Sequence, residues 1–216
     1  MKKVVLFDMD GTLTNTSVDI WENVNLALRK FGYPEITLEE TIAFVGHGAK
    51  NLIKSSLKGA MPENFDEIVK FYNDSYNFCG SPKTFVYDGM IDLLLKLKAD
   101  GYKIAVISNK PQDGTNEVCK TFFSEIKFDY IFGQREGVKV KPDRACVDIT
   151  LRELGIDAND AVFVGDSDVD AQTAINAEID GICVLWGYRN KQTLLDVGAK
   201  EFANTADELY QKIKAL

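Results

Sequence analysis

The sequence carries little that would suit a membrane or an oxidising compartment. Its four cysteines, Cys79, Cys119, Cys146 and Cys183, lie far apart and form no C-x-x-C pair. That argues against a cysteine zinc site or a dithiol redox motif and suits buried free thiols. No run approaches ~18 apolar residues, so no membrane-spanning helix is expected. Met1-Lys2-Lys3 is followed by a short apolar run that ends at Asp8, too short for a secretory signal. Together these absences lead us to expect a cytoplasmic protein. Positive charge is also scarce: 25 Lys and Arg stand against 33 Asp and Glu, a net charge of -8. Such an acidic surface argues against nucleic acid or an anionic membrane as partner. A small anionic substrate stays open, because a local cation or metal reverses the field inside one pocket. Histidine occurs once, at His47. No internal repeat or low-complexity segment is seen.

What the chain does have is a core-forming composition. Its 216 residues are 45% hydrophobic and 27% charged, enough for one large domain or a core with an insertion. Residues 4–7, Val-Val-Leu-Phe, read as a short buried strand that ends at Asp8. A helical stretch follows. Val18, Trp21, Val24, Leu28 and Phe31 mark one amphipathic helix, closed by Gly32 and Pro34. Thr37 and Glu40 make a capping box for a second. Gly46-His47-Gly48 interrupts, Leu52, Ile53 and Leu57 mark a third helix, and 65–76 a fourth. Gly80-Ser81-Pro82 closes the region. From there helices over 90–97, 118–123, 147–154 and 171–177 alternate with strands over 103–107, 128–132, 161–164 and 181–185. A final helix begins near Thr205. Alternation of this kind predicts βαβ units and a parallel sheet. The expected architecture is therefore α/β, a Rossmann-like parallel sheet core formed by 1–14 and 86–216. Residues 15–85 would form an inserted α-helical cap.

Three of the expected strands end in polar clusters. The first gives Asp8 and Asp10, the second Ser108 and Asn109, the third Asp166 and Asp170. A parallel sheet places these ends on one edge, where ligands of open α/β sheets bind. Carboxylates gathered in one crevice repel each other, so a divalent cation is expected. Oxygen ligands select a hard ion, Mg²⁺ foremost. Lys141, placed by Pro142 at an expected helix start, adds a cation; Lys139 is a rival for that role. A lysine and a hydroxyl suit phosphate oxygens, one carboxylate can attack phosphorus, and a second can carry the proton. The residues therefore point to phosphoryl transfer.

In order, Asp8-Met9-Asp10-Gly11-Thr12-Leu13, Ser108-Asn109-Lys110, Lys141-Pro142 and Gly165-Asp166-Ser167-Asp168-Val169-Asp170 resemble the four motifs of the haloacid dehalogenase-like hydrolase superfamily. The helical insertion resembles that superfamily's small cap. The resemblance implies Asp8 as nucleophile and Asp10 as general acid/base. It implies Mg²⁺ held by Asp8, the backbone carbonyl of Asp10 and Asp166, with Asp170 in support. It implies Ser108, Asn109 and Lys141 as the phosphate-binding set. Asp168 is expected only as a helix-start acid favoured by the dipole.

The presence of Asp10 favours phosphate chemistry over dehalogenation. The helix from Val18 to Leu28 lacks the basic residues of a β-phosphoglucomutase-like phosphosugar mutase, and Lys50 and Lys54 read as surface residues, not as a Schiff-base lysine. Phe44-Val45-Gly46-His47-Gly48-Ala49, Leu185-Trp186-Gly187-Tyr188-Arg189 and Leu195-Asp196-Val197-Gly198-Ala199 resemble the phosphoglycolate phosphatase branch. The implied activity is hydrolysis of a small phosphomonoester through an aspartyl phosphate. A phosphosugar mutase and a pyrophosphatase are the alternatives, and a non-enzymatic binding protein is disfavoured because no acid is missing. His47 is open between a substrate contact and a solvated loop histidine. Arg189 is open between a substrate anion and, preferably, a surface acid. Asn15-Thr16 departs from the branch's usual Asp-Ser, which puts the hydrogen bonding of the cap hinge in question. Arg144 departs too, where a proline is frequent, with no catalytic consequence expected. The residues leave monomer against homodimer undetermined.

Overall fold

The computed structural model describes residues 2–79 and 82–216, with side chains withheld for 77–79. Gly80 and Ser81 of the expected loop, and the thiol of Cys79, lie outside the described residues. The chain runs β1 (Val4–Phe7), β2 (Thr14–Asn15), α1 (Ser17–Lys30), α2 (Leu38–Phe44), α3 (Ala49–Ser56), α4 (Phe65–Cys79) and β3 (Phe85–Val86). It continues α5 (Met90–Ala99), β4 (Lys103–Pro111), α6 (Gln112–Phe122), β5 (Tyr130–Gln134) and α7 (Ala145–Leu154). It closes with β6 (Ala161–Gly165), α8 (Asp168–Asn176), β7 (Asp180–Val184), α9 (Lys191–Asp196), β8 (Glu201–Ala203) and α10 (Ala206–Ala215). Six strands form one sheet in the order β5-β4-β1-β6-β7-β8, every pairing parallel. This is the α/β architecture that the alternation of strand and helix predicts.

The sheet is covered on both faces, which explains why β1 is apolar at every position. Successive residues point to opposite faces. Val5 and Phe7 pack with Leu94 and Leu97 of α5, Val118 of α6 and Ile213 of α10. Val4 and Leu6 pack with Val147 and Leu151 of α7 and Ala174 of α8. All four β1 side chains are fully buried, and burying each contributes about 1.5–3 kcal/mol. Helices α1–α4 enclose a separate apolar cluster of Val24, Leu28, Leu52, Ile53 and Ile68. They join the sheet through the two-residue ribbon β2–β3, where Thr14 pairs with Val86 and Asn15 with Phe85.

Register levels the edge that matters. Phe7 lies opposite Val106 of β4 and Val164 of β6, so the residues just beyond these three positions emerge side by side. Several boundaries differ from the expected ones. Strand β4 runs on to Pro111 through a register shift after Ile107, and α6 starts at once at Gln112. The first turns of α6 are polar and carry no apolar period to read. Strand β5 starts at Tyr130, not 128: Phe128 stacks edge-on against Phe123 instead, and Asp129 accepts a hydrogen bond from the Ile104 N–H. Helix α8 starts at Asp168, where Ser167 and Asp170 form a capping box. The capping box of Thr37 and Glu40 forms as the sequence predicts. Cys119, Cys146 and Cys183 are free and buried. Among the described residues no helix is long and apolar enough to cross a membrane.

Candidate active site

Asp8 leaves the end of β1, its N–H donating to the Val164 carbonyl of β6 at 2.8 Å. Its Oδ1 accepts from Lys141 Nζ at 2.6 Å, and the same ammonium donates to Asp170 Oδ1 at 2.7 Å. Lys141 does not sit at a helix start as Pro142 suggested, because α7 begins only at Ala145. Asn109 holds it instead. The Asn109 Oδ1 accepts from the Lys141 N–H at 2.8 Å, and Nδ2 donates to the Lys141 carbonyl at 2.9 Å. Nδ2 also donates to the Gly46 carbonyl, at 2.7 Å. The Asn109 amide is thus committed to backbone partners, while Ser108 keeps its hydroxyl proton and Lys141, bonded to Asp8 and Asp170, keeps one N–H to donate. Ser108 Oγ accepts from the Lys110 N–H at 3.2 Å and keeps its own proton for donation.

Asp166 follows β6 and is fully buried. Thr12 Oγ1 donates to its Oδ1 at 3.1 Å, and the Tyr188 N–H donates to its Oδ2 at 2.6 Å. Glycine is required on both sides of this carboxylate. A Cβ on Gly11, whose φ is +97°, would stand 2.4 Å from Asp166 Oδ2, and one on Gly187 would stand 2.3 Å from Asp166 Cβ. Oxygens of Asp8, Asp166 and Asp170 lie within 4.8 Å of one another. Burial, and then the Asp170 charge, push Asp166 up to about 7. The same two causes raise Asp8 well above the usual carboxylate range against the pull of Lys141. Burial disfavours the Lys141 ammonium, but Asp170 and Asp8 outweigh it and hold that group above its ordinary value. Three buried acids thus face one ammonium. The remaining negative charge and the all-oxygen donor set fit a hard divalent cation such as Mg²⁺.

Asp10 faces a different set of partners. Its Oδ1 accepts from Thr16 Oγ1 at 2.7 Å, and both its oxygens lie 3.2 Å from Lys110 Nζ. The Thr16 N–H in turn donates to the Tyr188 hydroxyl at 3.0 Å. Asn15 Oδ1 accepts from the N–H and the hydroxyl of Ser17, so the departure from Asp-Ser leaves a hydrogen-bonded junction. Lys110 Nζ sits 4.4 Å from the centre of the Tyr76 ring. Burial disfavours its charge, but Asp10 together with Tyr76 and Tyr72 outweighs burial and holds the group above its ordinary value.

Helices α1–α4 lie across this edge as a roof. Ile20, Val45, Ala49, Leu52 and Tyr72 face Asp8, Asp10 and Lys141 over a cavity of about 60 Å³. Arg189 fixes the roof to the sheet. Its Nε donates to Asp168 Oδ1 at 3.0 Å, while its terminal nitrogens donate to the carbonyls of Ile42, Ala43 and Val45 at 2.8, 3.2 and 2.7 Å. Arg189 therefore pairs with a surface acid, as preferred from the sequence, and also carries three backbone contacts that the sequence did not suggest.

A family model described as haloacid dehalogenase-like hydrolase matches residues 5–184. The chain belongs to this family. A phosphoglycolate phosphatase of Colwellia psychrerythraea is 28% identical over 220 residues, covering 99% of this chain and 97% of that protein. One from Cereibacter sphaeroides is 33% identical, covering 86% of each. Among solved structures, a predicted phosphatase from Clostridium acetobutylicum superposes with a TM-score of 0.91 at 28% identity, covering 100% of both chains.

Within this haloacid dehalogenase-like chain, Asp8, Asp166 and Asp170 cluster, Lys141 bridges Asp8 and Asp170, and Ser108 lines the same cavity. The carboxylate of Asp10 stands outside the acid cluster, turned to Thr16 and Lys110. His47 does not line the cavity; its Nε2 lies 3.9 Å from Asp168 Oδ2. Asp168 opens α8, as its place in the motif suggested, and spends its charge on Arg189. Lys139 pairs with Asp143 on the surface and is no rival to Lys141. Sequence reasoning passed over Lys110. The available signal was a cation two residues beyond Ser108 on the same strand end.

Proposed function

We propose that this hydrolase is a Mg²⁺-dependent phosphatase of small phosphomonoesters, acting through an aspartyl phosphate on Asp8. Its first expected substrate is phosphoglycolate, after the curated relatives. The observation that carries the reading is Asp8 held at 2.6 Å by Lys141 within a cluster of buried acids beneath a close-fitting roof. We take residues 15–85 as a cap that opens at the β2–β3 ribbon to admit substrate.

In this reading Lys141 and the Ser108 hydroxyl hold the phosphoryl oxygens and aim phosphorus at the free oxygen of Asp8. Asp8, Asp166 and the backbone carbonyl of Asp10 would hold Mg²⁺, with Asp170 keeping Lys141 in place. Bound there, Mg²⁺ supplies positive charge against the acids and the phosphoryl oxygens. Asp8 forms the bond to phosphorus as the ester bond breaks. Asp10 gives its proton to the leaving oxygen and then takes one from the water that attacks the aspartyl phosphate. The closed roof excludes bulk water while the first step runs. The small cavity supports a short leaving group.

A phosphate-release assay over phosphoglycolate, sugar phosphates, nucleotides and pyrophosphate tests this. We expect the highest kcat/KM on a short phosphomonoester and a low rate on pyrophosphate. Isomerisation of a sugar phosphate without phosphate release would instead identify a mutase.

A further inference from the structure

Asp10 has to leave Lys110 if it is to serve a leaving oxygen, and that leaves a charge to account for. Lys110 is nearly buried, with its side chain 6% exposed. Its ammonium has the Asp10 carboxylate on one side and the Tyr76 ring on the other. A buried ammonium stripped of the Asp10 carboxylate is strongly unfavourable, and an aromatic face repays just part of that cost. Among the described residues that line the cavity, Lys110 and Lys141 are the only Lys, Arg or His. Lys141 is occupied by Asp8 and Asp170. The roof meets the cavity with Ile20, Val45, Ala49 and Leu52, and none of its described residues lining the cavity is a cation that could take a second anion on the substrate.

We infer that Lys110 determines specificity by receiving an anionic group on the leaving half of the substrate, in exchange for Asp10. The substrate class is then the phosphate monoester of a short hydroxycarboxylic acid. As its carboxylate reaches Lys110, Asp10 is released to the leaving oxygen, and the buried ammonium has an anion throughout. A neutral leaving group gives Lys110 nothing in return and keeps Asp10 paired. This inference rests on the phosphatase reading above.

The test compares phosphoglycolate with 2-hydroxyethyl phosphate, which replaces the carboxylate by a neutral hydroxymethyl group of similar size. With Mg²⁺, the wild-type protein is expected to favour phosphoglycolate about tenfold or more in kcat/KM, the scale of one charge-assisted contact. Lys110→Met lowers both rates through the lost support of Asp10. It also collapses the preference, mainly by raising KM for phosphoglycolate. Lys110→Arg retains part of the preference. If Lys110→Met does not fold, Lys110→Gln takes its place, and the wild-type comparison stands alone. Equal kcat/KM for the two esters in the wild-type protein, or an unchanged preference in Lys110→Met, overturns the inference while leaving the phosphatase reading intact. No phosphate release from either ester removes both.

Discussion

Single residues here are governed by how much charge the buried edge can hold. Asp166 goes from an ordinary value of 3.8 to about 7, because burial and Asp170 both oppose its ionisation. At Asp166 the metal-free fold therefore binds more protons than the unfolded chain across that interval, and this group's contribution to stability falls as pH rises from about 4 to 7. Mg²⁺ held as proposed would bind the ionised carboxylates, so its stabilising effect should grow over the same interval. Thermal melting in EDTA and in Mg²⁺ at pH 5, 6, 7 and 8 measures this. The gap in Tm should widen with pH, and a gap that is constant would contradict the assigned acid cluster. At this scale the motif acids were legible, because each follows an apolar strand and none has a cheap alternative use. Lys110 was not, since a lysine beyond a strand ordinarily reads as solvated. Nor was the work of Asn109, whose partners Gly46 and Lys141 lie 63 and 32 residues away.

Among the elements, the decisive contact is between the roof and the sheet. Loop 45–48 after α2 is held twice, by Arg189 at the Val45 carbonyl and by Asn109 at the Gly46 carbonyl. The second bond links the roof to the residue that fixes Lys141, so a displaced loop also loosens the lysine proposed to bind phosphate. Arg189→Ala removes four hydrogen bonds to Asp168 and the α2 end, and should lower the unfolding free energy by about 1–3 kcal/mol. Amide hydrogen exchange should rise over residues 42–48 and stay unchanged in β1 and β6. Arg189→Lys should not restore protection, because one ammonium cannot span the fork of acceptors. Equal exchange in wild type and Arg189→Ala would show that the roof is held elsewhere. Long elements such as α1 and α5 were readable from their apolar stripes. The ribbon β2–β3 was not, for two-residue strands have no period, and α6 hid behind a polar first turn.

At the scale of the whole molecule, a doubly covered parallel sheet delivers five separate sequence segments to one edge. Such delivery depends on register and could not be read from spacing alone; what could be read was the polar residue at each strand end. Residues of the α1–α4 segment close the cavity over the sheet edge, and Lys110 and Lys141 both line it; in the proposed reading they serve its leaving-group and phosphoryl ends. The central claim is that Asp8 does the chemistry on phosphorus. Asp8→Asn keeps the shape of the side chain and removes one charge from a crowded acid cluster, so the fold should persist with an equal or higher Tm in EDTA. Phosphate release from phosphoglycolate, measured for wild type with Mg²⁺, wild type with EDTA and Asp8→Asn with Mg²⁺, is the most direct test. We expect turnover in the first alone, with Asp8→Asn slower by about 10³-fold or more. A folded Asp8→Asn protein that releases phosphate at the wild-type rate would contradict the account.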